Sequence, residues 1–155
     1  DLSTHSIVVC NGDNMPPVGS FGEIFKSHCA MLAYDASMLG LPNERVSAFA
    51  VVDIDSEGYL IQIVEKPTKA TLPNFIQSDG VLRVSMNIFK MSFSDFIEAL
   101  KDCPMDAVRH EKELPTAIGR WVKENPGRMI SFPFGGEFLD LTHPSDFLFV
   151  SHKLQ

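Results

Sequence analysis

The sequence is poor in the features that mark membrane, nucleic-acid-binding and disulfide-stapled proteins. No apolar run approaches the ~18 residues of a spanning helix. No leader pattern is visible either, so neither a membrane partner nor a secretory route is expected. Positive charge is scarce: 13 Lys and Arg stand against 20 Asp and Glu, a net charge of −7. That balance excludes non-specific nucleic-acid binding. It leaves room for a phosphate ligand held by a few local cations. Cysteine is rare as well. Cys10, Cys29 and Cys103 are odd in number and form no CxxC pair, which predicts reduced, mostly buried thiols of a cytosolic protein. The histidines lack metal-ligand spacing such as HxxxH and receive no role.

What remains is an ordinary apolar share, 45% of 155 residues, enough for a single domain over 1–155 with a real core. The chain opens on Asp1 rather than Met, the expectation for an excised or processed piece. No internal repeat or low-complexity segment interrupts it.

Period and punctuation predict alternating elements. Residues 6–10 read as a buried strand ended by NGDN. Ser20 and Glu23 have capping-box spacing ahead of a helical face of Phe21, Ile24, Phe25 and His28. A second strand follows at 30–34, then a loop over 37–45 with Gly40, Pro42 and Asn43. Residues 48–54 and 59–64 flank DSEG at 55–58, a turn signal that predicts a hairpin. A strand at 81–89 leads to a helix capped by Ser92, with Phe93, Phe96, Ile97 and Leu100 on one face. Leu114, Ala117, Ile118, Trp121 and Val122 mark another helix, stopped at Asn125-Pro126-Gly127. Residues 128–134 read as a strand, and a last helix starts near 142–145. Trp121 and the methionines read as core. The alternation predicts an α/β layer fold with a mixed sheet.

In open α/β sheets ligands gather at the carboxyl ends of strands. Asp13 follows the first predicted strand, the pair Glu65-Lys66 the hairpin strand, and Asp140 the short run Glu137-Phe-Leu139. Two acids and an acid–base pair at such ends suit a cation-and-phosphate site, because Mg²⁺ is held by one or two carboxylates plus substrate phosphates. Each has a plainer reading. NGD is a common turn, Asp140 could cap the last helix, and Glu65-Lys66 before Pro67 could be a solvated pair at a sheet edge.

Order and spacing favour the functional reading. VVCNGDN (8–14), VVDIDSEGYLIQIVEKP (51–67), RHEKELPTAI (109–118) and GGEFLDLTHPSDF (135–147) together resemble the sugar-1-phosphate nucleotidyltransferases, the family that makes nucleotide sugars. The second segment is the most specific, matching the family's D-x-x-G-x-(V/I)-x-x-(I/V)-x-E-K-P hairpin. The resemblance implies a Rossmann-like nucleotidyltransferase domain with a mixed, mostly parallel sheet and an inserted hairpin. It implies Mg²⁺-dependent transfer of a nucleotidyl group from an NTP to a sugar-1-phosphate, with release of pyrophosphate. Asp13 and Asp140 would hold the Mg²⁺, Lys66 would contact the sugar phosphate, and Arg109 would approach the phosphates. Glu65, Asn87 and Glu113 would bind substrate. Pro67 would hold Lys66 extended. Arg109 could equally be an exposed loop charge, and Asn87 a structural amide in the sheet.

The departures matter. The family's opening G-x-G-T-R-x-x-P loop and the lysine after it are missing, so the chain is expected to be the C-terminal portion of a catalytic domain, inactive alone. Ala50 replaces a common Gly, Met86-Asn87 the usual T/A-G, and Leu141-Thr142 the I-G of D-I-G-T-P; LPT follows Glu113 in place of I-T-D. These substitutions bear on sugar identity more than on reaction class. The alternative is a non-catalytic sugar-phosphate-binding or regulatory module derived from the same fold; an unrelated α/β protein is the third. An incomplete sheet would leave an apolar edge, so self-association is expected.

Overall fold

The computed structural model describes residues 5–41, 43–144 and 146–153. Its centre is a mixed sheet built from β1 (Ser6–Val9), β3 (Ala30–Asp35), β4 (Ala50–Ile54), β5 (Leu60–Val64), β6 (Arg83–Ser92) and β7 (Ile130–Phe134). The order is β5-β4-β6-β3-β7, and β1 also pairs with β6. A separate two-residue ladder joins β2 (Asn14–Met15) to β8 (Leu139–Asp140). The helices are α1 (Ser20–Ile24), α2 (Asn43–Val46), α3 (Phe93–Asp102), α4 (Leu114–Glu124) and α5 (Asp146–Lys153).

β3 is buried on both faces, which explains its unbroken apolar run. Met31 and Ala33 face a core shared with α3 and α4. Ala30, Leu32 and Tyr34 face a second core that includes Ile24 of α1 and Phe138. That is the period-two division of a strand between two layers. Trp121 is 1% exposed in the first core, as its spacing predicted.

The mixed sheet and the hairpin are as expected, but the balance of directions is reversed. Among the described pairings only β3–β7 is parallel; β4–β5, β4–β6, β3–β6 and β1–β6 are antiparallel. The reason lies in the connections. A parallel return needs a long crossover, whereas a tight turn joins β4 to β5 and no α-helix lies between β5 and β6.

Two local expectations also change. The capping box at Ser20 does not form: Gly19, at φ +95°, is the N-cap, without a side-chain bond. Ser20 is buried and donates to the Pro17 carbonyl while accepting from the Tyr34 hydroxyl. A buried hydroxyl must be paired, and that need outweighs the cap. The helix ends at Ile24, leaving Phe21 and Phe25 exposed and His28 outside it. The thiols are free but not mostly buried: Cys10 is exposed, Cys29 half-buried and Cys103 buried. The 37–45 loop contains a 3-10 turn, Ala36–Met38, and the start of α2; Pro42 lies outside the described residues. Ser145, in the expected start of α5, does too. The Ser92 cap does form, accepting from the Asp95 N–H at 3.1 Å.

α4 is held against β5 by the absence of a side chain. A Cβ on Gly119 would lie 2.7 Å from Ile63 Cγ2 and 3.1 Å from its carbonyl oxygen. Gly119→Ala would gain about 1 kcal/mol of helix propensity. Overpacking of this kind costs about 1–3 kcal/mol, and backbone on one side limits relaxation. The expected outcome is a lower melting temperature in thermal denaturation; a rise would mean that α4 can move off β5 freely.

Candidate functional site

β6 changes partner midway. Its Val84 and Ser85 pair with β4, while Phe89 to Ser92 pair with β1. Residues 86–88 lie in the gap between these ladders. On the β3 side, one residue (Leu32, between Met31 and Ala33) opposes three (residues 86–88, between Phe89 and Ser85), so β6 bulges at the same place. Asn87 sits in the bulge with φ +57°. Its N–H donates to Ser85 Oγ at 3.1 Å, and its Nδ2 reaches Asn11 Oδ1 at 3.5 Å. Its own Oδ1 is buried without a partner. Such an acceptor costs free energy until a donor arrives.

The exit of β5 adjoins this gap. Val64 pairs with Val51, and Ala50 with Ser85. Glu65 and Lys66 come next, and Lys66 is left-handed at φ +44° rather than extended. The preference of a pre-proline residue for extended backbone is overridden here. The turn solves the problem that adjacent strand residues point to opposite faces. Lys66 Nζ lies 3.6 Å from Glu65 Oε1 and 3.1 Å from Glu113 Oε1. Glu113 is the N-cap of α4, and Arg109 reaches it at 3.5 Å. Arg109 is exposed, but its N–H and that of Val108 both bond Asp106 Oδ1. Those two donors hold the Asp106 carboxyl below its ordinary range. His110, at φ +56°, closes the same loop. Lys66, Asn87 and His110 are the non-glycine residues with positive φ among those described, and all three lie in or beside this region. Strain of this kind concentrates at functional sites.

Burial pushes the Glu65 carboxyl above its usual value, and the Glu113 charge adds to the shift. A raised folded-state pKa means that its stability contribution is full below the unfolded value, about 4.3, and is lost as pH rises through the folded one. Glu65→Gln removes that loss. The variant is expected to melt higher than the wild type at pH 7, with the gap closing below about pH 4. A gap independent of pH would assign the gain to something other than burial of the charge.

The acidic pair forms a second group. β2 and β8 place Asn14 opposite Asp140, and the Leu141 N–H donates to the Asp13 carbonyl. Asp13 is exposed. Asp140 is only 6% exposed. Its Oδ1 accepts from the Thr142 N–H at 3.0 Å and the Thr142 hydroxyl at 2.5 Å, and its Oδ2 takes Arg45 Nη2 at 2.6 Å. Arg45 also grips Asp146 at 2.8 and 3.2 Å. That bond, with a second from the His143 N–H, holds the Asp146 carboxyl low. Among the described residues no three His, Cys, Asp or Glu side chains group as a metal centre. Asp140 on β8 and Asp13 in the turn before β2 are hard oxygen ligands of the kind Mg²⁺ takes alongside phosphates and waters, and Asp140 already accepts a cationic partner, Arg45.

The structure thus brings Glu65, Lys66, Arg109 and Glu113 together, sets Asp13 in the turn before β2 with its carbonyl bonded to the residue after Asp140, and ties Asn87 to the Asp13 loop through Asn11. Sequence reasoning missed Arg45 and Asp146. Asp146 stood in the last motif, but Arg45 lies 95 residues from Asp140 and carried no local signal. No described helix is long and apolar enough to cross a membrane.

The model of the nucleotidyl transferase family matches residues 2–129. The bifunctional protein GlmU of Methanococcus maripaludis is 27% identical over 105 residues, 68% of this chain and 23% of that protein. A Bacillus anthracis protein assigned as a glucose-1-phosphate thymidylyltransferase, solved with sucrose, superposes with TM-score 0.62 at 17% identity, covering 98% of this chain and 55% of that one. The nucleoside-diphosphate-sugar pyrophosphorylase of Vibrio cholerae RC9 gives TM-score 0.59 at 15% identity over 92% of this chain and 54% of that one. The α/β fold is therefore the Rossmann-like fold of these structures. The chain spans about a quarter of the length of the curated relative and about half that of the solved ones. With most of its length matched by the family model, the chain belongs to the nucleotidyl transferase family.

Proposed function

We propose that the chain is the sugar-phosphate side of a sugar-1-phosphate nucleotidyltransferase. An anionic oxygen of the sugar-1-phosphate attacks the α-phosphorus of an NTP in line. A new P–O bond forms, the α–β bond breaks, and pyrophosphate leaves with the electron pair. The nucleophile is already charged, so no strong base is required; positioning and charge neutralisation supply the rate. Lys66 and Arg109 face the phosphates. Glu65, Glu113 and the unpartnered Asn87 carbonyl take sugar hydroxyls. Asp13 and Asp140 hold Mg²⁺, which would supply charge neutralisation at the reacting phosphates.

The observation that carries this reading is the Lys66 amino group, turned between Glu65 and Glu113 beside the β6 gap. It is a cation held for an anion by two carboxylates whose other oxygens can meet hydroxyls. Catalysis takes place in the cytoplasm. The 155-residue chain alone is inactive and self-associates through its open sheet edge. The test is pyrophosphate release by the longest native protein containing this chain, across a panel of NTPs and sugar-1-phosphates with and without Mg²⁺. Turnover with one pair, abolished by chelation, is expected. Tight sugar-phosphate binding with no turnover for any pair would favour the non-catalytic module.

A further inference from the structure

We propose that Arg45 is a built-in competitor for the cation at Asp140: its guanidinium occupies the carboxylate until a divalent cation displaces it. This rests on Asp140 being a cation ligand, as proposed above.

The geometry leaves one oxygen in contention. Asp140 Oδ1 already accepts two bonds from Thr142. Oδ2 is the oxygen left for a cation, and Arg45 Nη2 stands 2.6 Å from it. With the Asp140 side chain 4% exposed, water replaces the guanidinium poorly, so removing Arg45 without another cation is costly. A guanidinium and a divalent ion cannot share that oxygen, because two positive centres at such distances repel strongly in a partly buried setting.

The clamp is also built to let go. Arg45 holds Asp146 through both nitrogens, at 2.8 and 3.2 Å, in the fork geometry that suits guanidinium and carboxylate. Releasing Asp140 costs it one of three bonds, and Asp146 keeps the side chain anchored. Two arrangements follow: Arg45 on both carboxylates, or Arg45 on Asp146 alone with a cation on Asp140. The first keeps β8 and α5 tied to α2 without metal. The second is favoured when substrate phosphates add their oxygens to the cation. Cation and triphosphate are therefore expected to bind cooperatively, each weakly alone.

The test is Mn²⁺ binding followed by electron paramagnetic resonance, together with melting temperature, for the wild type, Arg45→Met, Arg45→Lys and Arg45→Met/Asp140→Asn. Arg45→Met is expected to bind Mn²⁺ at least about tenfold more tightly than the wild type. It should melt lower without metal and recover with millimolar Mn²⁺. Arg45→Lys, which keeps a charge but not the fork, should fall between. Both effects should vanish when Asp140 is also changed. The proposal is overturned if folded Arg45→Met binds Mn²⁺ no better than wild type. It is equally overturned if a destabilised Arg45→Met does not recover with Mn²⁺, since the ion should replace the lost charge. Failure here with Mg²⁺-dependent transfer intact removes the clamp and leaves the transferase; success without transfer in any native form does the reverse.

Discussion

Asp140→Asn is expected to reduce pyrophosphate release by about 10²–10³-fold, the usual effect of removing one electrostatic stabiliser of a transition state. It is also expected to destabilise the fold, by on the order of 2 kcal/mol. The substitution keeps the shape and can keep the Thr142 bonds on one oxygen. It replaces the oxygen 2.6 Å from Arg45 with an amide or strips it of charge, so a buried donor meets a donor or the ion pair is lost. Arg45 retains Asp146, which limits the damage compared with orphaning it fully. For a domain of this size that loss corresponds to roughly 4–8 °C in melting temperature. Asp13 is exposed, so Asp13→Asn should lose comparable activity with little change in melting. Wild-type turnover in Asp140→Asn would remove Asp140 from the site; wild-type melting would remove it from the clamp.

Lys66→Met has the other large effect, on activity alone. Lys66 is about half exposed, so its ion pairs add little to stability. Its removal leaves Glu65 and Glu113 with Arg109 as their neighbouring cation, and Arg109 reaches Glu113 at 3.5 Å while also pairing with Glu111 at 3.3 Å. Two negative charges would then meet an incoming phosphate where one cation met it before. A loss of about 10²–10³-fold in transfer is expected, with a melting shift near zero and a steep rise in KM for the sugar phosphate. Retention of activity within threefold would shift the phosphate contact to Arg109 or elsewhere.

How far the sequence reached depends on the range of each signal. The hairpin was legible because DSEG sits between two alternating strands, and Asp55 does close that turn by accepting from the Glu57 and Tyr59 N–H groups. The Ser92 cap and α4 were legible for the same reason, as patterns within a dozen residues. β2 and β8 were not, because a two-residue ladder has no period to detect. Strand direction was misjudged because alternation of helix and strand does not say which connections cross over. At the site, residue types and order nominated Asp13, Glu65, Lys66, Asn87, Arg109, Glu113 and Asp140; of these the structure joins Glu65, Lys66, Arg109 and Glu113 by ion pairs and sets Asp13 next to the β2–β8 ladder that carries Asp140. The left-handed turn at Lys66 ran against the local preference before proline, and the Arg45 clamp joins parts of the chain 95 and 101 residues apart. Neither leaves a trace in a short window.

The clamp has a consequence for the order in which the molecule comes together. Among the contacts that tie the segment from β8 through α5 to the remainder are a two-residue ladder, the Leu141 N–H bond to the Asp13 carbonyl, the buried Val150, and Arg45. Such a contact across roughly a hundred residues carries a loop-closure cost that is met only after the sheet has formed. The described residues of β8 and α5 are therefore expected to fold late and open early, with backbone amides that exchange with solvent before those of β3 and β6. One of the two proposed cation ligands travels with that unit. The proposed cation site would then be complete only while that segment is closed, and whatever steadies the tail would also assemble the site.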